Sequence, residues 1–171
     1  MFKSFITSVM ILASLPLNTS ANQWTEHRQL MNSLRDVGVS VYINDPNVCG
    51  KNIDGRYWSS ARRLDVCQDK MDKPYIQVEW TPNDLDTLRH EAHHVVQDCM
   101  DRPFDGQLRP MFGKDKEWAS FVGNAMTKEQ VQFIMSKYPV SKAYTELEAF
   151  AVASTVDAGT IADKLEEFCG L

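Results

Sequence analysis

The chain has 171 residues, 43% of them hydrophobic and 24% charged, with a formal net charge of −5, which is enough chain for one domain with a core of its own. Its acidic balance and lack of a basic run exclude the electrostatic footprint of a nucleic-acid or anionic-membrane binder and tilt the choice of partner toward neutral or basic molecules.

Met1 to Ser4 carries one lysine, Phe5 to Leu17 is apolar, and Asn18-Thr19-Ser20-Ala21 forms a small-residue exit. This pattern predicts a signal peptide over residues 1–21, too short in its apolar run for a membrane span. A single domain is expected over 22–171, exported to the outside of the cell or to a periplasm, with no stable membrane anchor after cleavage. Four cysteines, Cys49, Cys67, Cys99 and Cys169, favour two disulfides in that setting. Of the possible connectivities we favour Cys49 with Cys67, closing a local loop, and Cys99 with Cys169, tying two distant helices.

Residues 22–37 read as a helix with Trp24, Leu30, Met31, Leu34 and Val37 in an apolar stripe, stopped by Gly38. Val39, Val41 and Ile43 then alternate with polar residues, the period of a half-buried strand. Asn44-Asp45-Pro46-Asn47 is a turn cluster. Arg56 to Trp58 and Arg63 to Val66 form an expected hairpin across Ser59-Ser60, and Tyr75 to Trp80 alternates as a further strand. Thr81-Pro82-Asn83-Asp84 combines a hydroxyl N-cap, proline at the first helical position and an acid at the third. Behind it Leu85, Leu88, Ala92, Val95, Val96 and Cys99 recur at helical spacing. Residues 101–113 are irregular. Thr127 to Gln130 resembles a capping box opening a helix through Lys137, Pro139 separates it from a helix over 142–156, and Thr160 to Asp163 starts the last one. The expected fold is α+β: a small antiparallel sheet from residues 39–80, then an active-site helix and a helical C-terminal half.

The helix that follows Thr81 carries His90-Glu91-Ala92-His93-His94, an H-E-x-x-H pattern. At about 100° per residue, positions 90 and 94 lie only about 40° apart, so both imidazoles project from one face and can share a tetrahedral metal. Glu91 beside them can reach a water in an open fourth position and act as general base. Such a pattern also arises by chance, mostly in loops; here the cap and the apolar stripe put it in the middle of an amphipathic helix.

A hydrolytic zinc site generally needs three protein ligands. The chain has only His27, His90, His93 and His94. His93 points about 80° from the bisector of 90 and 94, and His27 reads as a surface histidine of the first helix. Gln97 and Met100 stand where the metzincin pattern requires glycine and histidine, which excludes that branch. Tyr144-Thr145-Glu146-Leu147-Glu148-Ala149-Phe150-Ala151 holds two downstream acids, about 200° apart on a helix, so one of them at most binds the metal.

At these two motifs, within residues 75–151, the chain resembles the gluzincin branch of the zincin metallopeptidases, several groups of which place a third zinc ligand in an E-x-x-A setting. Glu146 with Ala149 and Glu148 with Ala151 both match. Glu146 is favoured, with Glu148 as rival, because Ala149 and Ala153 follow on its face and allow close helix packing. Several gluzincins have an aspartate four residues after the ligand, orienting a zinc histidine. Phe150 or Val152 stands there instead, leaving Asp98, Asp157 or a backbone carbonyl for that role. The resemblance implies a zincin-like fold, one Zn2+ held by His90, His94 and Glu146, and peptide-bond hydrolysis with Glu91 as general base. The expected partner is a protein or peptide substrate, paired against Tyr75 to Trp80 by backbone hydrogen bonds, and the expected state is a monomer. Tyr138, Tyr144 and Arg109 are candidates for stabilising an oxyanion. Two alternatives stand beside this reading: an exported zinc-binding or interaction protein without catalysis, and a zinc amidase acting on a cell-wall amide.

Overall fold

The computed structural model describes residues 19–50, 53–101, 104–113 and 116–170, with side chains from residue 23 onward. The expected leader over residues 1–21 lies outside the residues whose side chains are described. Helix α1 (Thr19–Asp36) is followed by strands β1 (Ser40–Ile43), β2 (Gly55–Trp58) and β3 (Arg63–Val66), and then by helices α2 (Pro82–Cys99), α3 (Lys116–Ala125), α4 (Lys128–Lys137), α5 (Val140–Thr155) and α6 (Ala158–Cys169).

Local chemistry sets the ends of these elements. Gly38 sits at φ 86°, and Gly38 N–H and Val39 N–H bond Arg35 and Leu34 carbonyls, the Schellman arrangement that closes α1. The capping box at Thr81 is complete: its hydroxyl accepts from Asp84 N–H, and Asp84 accepts from Thr81 N–H at 2.8 Å. Thr127 and Gln130 do the same for α4. The last helix starts earlier than its sequence signal, because Asp157 rather than Thr160 is the N-cap. Helix α3 has no counterpart among the expected elements, although Trp118, Phe121, Val122 and Ala125 recur at helical spacing.

The sheet is mixed and not antiparallel as expected. Its order is β1-β3-β2, with β2 antiparallel to β3 across the expected hairpin and β1 parallel to β3. β2, although it follows β1 in the chain, thus lies on the far side of β3 from it. Tyr75 to Trp80 is not a strand. Its backbone groups bond isolated partners and not a strand ladder: Tyr75 N–H donates to Asn44 O, Asn44 Nδ2 donates to Ile76 O, and Gln68 donates to Val78 O and accepts from Val78 N–H. The proposed pairing of a substrate with a pre-formed strand there loses its basis.

The main core joins α1 (Leu30, Leu34), the sheet (Leu64, Val66), α2 (Leu88, Val95, Val96) and α6 (Ile161, Leu165). A second apolar cluster, Trp118, Val122, Ile134, Leu147 and Ala151, joins α3, α4 and α5. Helix α2 packs against both α5 and α6, and both favoured disulfides are present. Cys49–Cys67 ties the connection between β1 and β2 to the residue just after β3, and Cys99–Cys169 joins the last residue of α2 to that of α6. No helix among the described residues is long and apolar enough to cross a membrane.

Candidate metal centre

Helix α5 is held along α2 by side chains that reach its backbone. Arg89 Nε donates to Ala153 O at 2.8 Å, and Gln97 Nε2 donates to Thr145 O at 3.1 Å. Ala92 on α2 and Ala149 on α5 are both fully buried, consistent with close packing of the two helices. This register brings Glu146 against the two imidazoles of α2.

His90 Nε2 and His94 Nε2 lie 3.1 Å apart, and Glu146 Oε2 lies 3.5 Å from the first and 3.6 Å from the second. A tetrahedral ion bound at about 2.0–2.1 Å separates its donor atoms by about 3.3–3.4 Å, so these three atoms form a triangle of the size of one tetrahedral face. The group could hold a metal ion. Both histidines are buried, and the Glu146 side chain is 14% exposed, which leaves one side open.

The electrostatics of the group call for positive charge. Burial favours the neutral ring of His94, yet its hydrogen bond to Glu146 and the charges of Glu91 and Glu146 push it up to about 9. Burial likewise opposes ionisation of Glu146, but hydrogen bonds from His90 and His94 hold its carboxyl well below the usual range.

Glu91 and His90 line an open cleft of about 420 Å3, with Asp54, Thr87, Met126, Tyr138 and Phe150 among its walls. Gly55 on β2 makes room for the carboxylate: a Cβ there would lie 3.0 Å from Glu91 Cγ and 2.5 Å from Thr87 Cγ2. Phe150 covers His90, ring centroids 4.3 Å apart. Tyr138, the C-cap of α4, is pushed up to about 12 by burial, by the charges of Glu146 and Glu91 and by its hydrogen bond to Glu146. Its hydroxyl is therefore a neutral donor beside both carboxylates. The other two oxyanion candidates lie elsewhere. Tyr144 packs on Trp118 in the second apolar cluster, with ring centroids 5.0 Å apart. Arg109 pairs with Asp105 at 2.7 Å, and neither residue is among those lining the cleft.

Glu148 does not join the triangle. It is fully buried and accepts from His93 Nε2 at 2.9 Å, Gln97 Nε2 at 3.0 Å, Met111 N–H at 2.7 Å and Phe112 N–H at 3.3 Å. Burial would raise its carboxyl, but the hydrogen bond from His93 and the others hold it low. Burial keeps His93 below its ordinary value, as a neutral donor. His27 is not a surface residue. It is 1% exposed, with Nδ1 on Gln23 O at 2.6 Å and Nε2 facing Arg89 Nη1 at 2.8 Å.

Neither aspartate considered for orienting a ligand does so. Asp98 accepts from Tyr57 Oη and Gly106 N–H, each at 2.7 Å, and Asp157 caps α6. The partner of His94 Nδ1 is Gln97 Oε1 at 2.8 Å, a residue that the sequence reading passed over. Its signal was the i, i+3 spacing, which sets two side chains together on one helix face. Compared with known proteins, the chain matches no family model, no curated protein and no solved structure.

Proposed function

We propose that this chain is an exported zinc metallopeptidase that hydrolyses peptide bonds, with His90, His94 and Glu146 as ligands and Glu91 as general base. The observation that carries this reading is the 3.1, 3.5 and 3.6 Å triangle of two imidazole nitrogens and one carboxylate oxygen, beside an open cleft that also contains Glu91. Two imidazoles and a carboxylate suit zinc, and three protein ligands leave a fourth position free, the pattern of a hydrolytic and not a structural site. The two disulfides accord with an oxidising location.

The chemistry supplied by a bound zinc ion is Lewis acidity toward water and toward the scissile carbonyl. Glu91 takes one proton from the attacking water as its oxygen bonds to the carbonyl carbon. It then delivers that proton to the departing nitrogen as the C–N bond breaks, leaving an amine and a carboxylic acid, whose remaining proton passes to the amine to give an ammonium and a carboxylate. Tyr138, a neutral donor across the cleft from α2, is placed to hydrogen-bond the oxygen on which negative charge develops. Among the described residues lining the cleft, Asp54, Asp86 and Glu91 are acidic and none is lysine or arginine, which favours neutral and basic peptides.

The test is Glu91→Gln in the zinc-loaded chain, assayed on a mixed library of quenched fluorescent peptides. The variant is expected to bind zinc as the wild type does and to lose about 10²–10⁴-fold in kcat. A wild type that binds zinc but cleaves no peptide ends the peptidase reading; a variant that cleaves at the wild-type rate ends the assignment of the base.

A further inference from the structure

Resting on the metal-ligand reading above, we infer that Gln97, clamped by Glu148, is the positioning residue that sets the tautomer of His94 and so aims its Nε2 lone pair at the metal. The orientation of the Gln97 amide is fixed by its surroundings. Its nitrogen faces Thr145 O at 3.1 Å and Glu148 Oε1 at 3.0 Å, a backbone carbonyl, which cannot donate, and a carboxylate oxygen that already accepts from Met111 N–H at 2.7 Å. A flipped amide would set its oxygen against both. The oxygen must therefore face His94 Nδ1 at 2.8 Å, and as an acceptor it requires a hydrogen on that nitrogen. With Nδ1 keeping its hydrogen, Nε2, which faces Glu146 and His90, is the nitrogen that gives up its proton and offers a lone pair when a cation binds.

The clamp is rigid because nothing in it is left to solvent. Gln97 and Glu148 are fully buried, His93 and Thr145 nearly so. Glu148 takes donors from α2 and from the backbone at Met111 and Phe112, and Arg109 N–H bonds Gln97 O at 3.1 Å. A continuous chain of hydrogen bonds thus runs from the irregular 104–113 segment through Glu148 and Gln97 to the metal group. Among the described residues His90 has no equivalent: its Nδ1 is buried and none of them hydrogen-bonds it. The two histidines of the motif are therefore unequal, one held by a dedicated amide and the other by packing against Phe150.

The experiment compares wild type with Gln97→Met, which keeps side-chain length and removes the acceptor. Zinc affinity is measured by competition with a chromophoric chelator, and the exchangeable ring protons are followed by proton NMR of the cobalt-loaded proteins. Loss of such a partner is expected to weaken zinc binding by about 10–100-fold and to turn the slowly exchanging Nδ1 proton of His94 into a rapidly exchanging one, with the His90 signal unchanged. A zinc Kd within twofold of wild type, or an unchanged His94 proton, overturns the inference. Should Gln97→Met fail to fold, the wild type decides alone: an Nδ1 proton on His94 close to the Gln97 side chain supports the inference, and metal bound through Nδ1 overturns it. A wild type that binds neither zinc nor cobalt fails at the earlier step, the ligand reading itself.

Discussion

The two sides of the α2–α5 seam differ in how their polar groups are satisfied. Behind the histidines, Glu148, Gln97 and His93 are buried and bonded to one another or to backbone. In front, Glu91, Tyr138 and Phe150 border an open cleft, and Phe150 remains 39% exposed. A saturated network in a low-dielectric interior rigidifies what it touches, whereas a group meant to exchange protons with a substrate has to face a space that the substrate can enter. Two glutamates two residues apart on α5 fall on the two sides of this seam: Glu146 faces the imidazoles of His90 and His94, and Glu148 faces the interior.

That division breaks most visibly by removing each glutamate in turn. Glu146→Ala takes away one of the three proposed ligands and is expected to weaken zinc binding by about a thousandfold, a third of the binding free energy typical of protein zinc sites, while the urea midpoint of the metal-free chain falls less than it does for Glu148→Ala. Glu148→Ala removes the acceptor shared by four donors, leaving the buried His93 Nε2 without its partner, and is expected to cost about 3–5 kcal/mol of stability, read as a large fall in the same midpoint. If the two variants exchange these effects, the assignment of ligand and clamp is reversed. Within the front side, Tyr138→Phe sharpens the contrast further. It deletes one donor and no apolar surface, so kcat should fall about 10²-fold with zinc affinity and folding midpoint near wild type; an unchanged kcat removes Tyr138 from the reaction.

Much of the site was legible because its signals are local. The cap at Thr81, the apolar stripe from Leu85 to Cys99 and the one-turn spacing of His90 and His94 lie within one helix, and helical periodicity alone sets their common face. The choice of Glu146 over Glu148 followed from rotation about α5 and from the small residues Ala149 and Ala153. What escaped was long-range. Tyr75 to Trp80 alternates like a strand, but Asn44 and Gln68 reach it with side chains and supply the hydrogen bonds that a neighbouring strand would have made. The parallel pairing of β1 with β3 depends on the path of the intervening loop, to which a two-residue period is blind. Gln97 was treated only as a departure from a longer histidine pattern, and its role depends on Glu148, 51 positions away.

The smallest expected effect concerns the contact of α1 with α2, where the buried His27 contrasts with the histidines of the candidate metal group. The His27 ring accepts from Arg89, which also reaches Ala153 O and pairs with Asp86, so a proton on His27 would set two cations together in a buried site. Burial, chiefly, and the charge of Arg89 hold His27 below its ordinary value of 6.5. The folded state therefore resists a proton that the unfolded chain accepts. Stability from this group is complete above about pH 6.5 and declines as the pH falls from there toward the lowered folded value, with a slope of at most about 1.4 kcal/mol per pH unit. His27→Gln removes the titrating group and keeps a hydrogen-bonding side chain. Urea midpoints measured from pH 8 down to pH 5 should fall less steeply for this variant than for the wild type; parallel curves would mean that the Arg89 contact carries no proton linkage and serves only to dock α1 on α2.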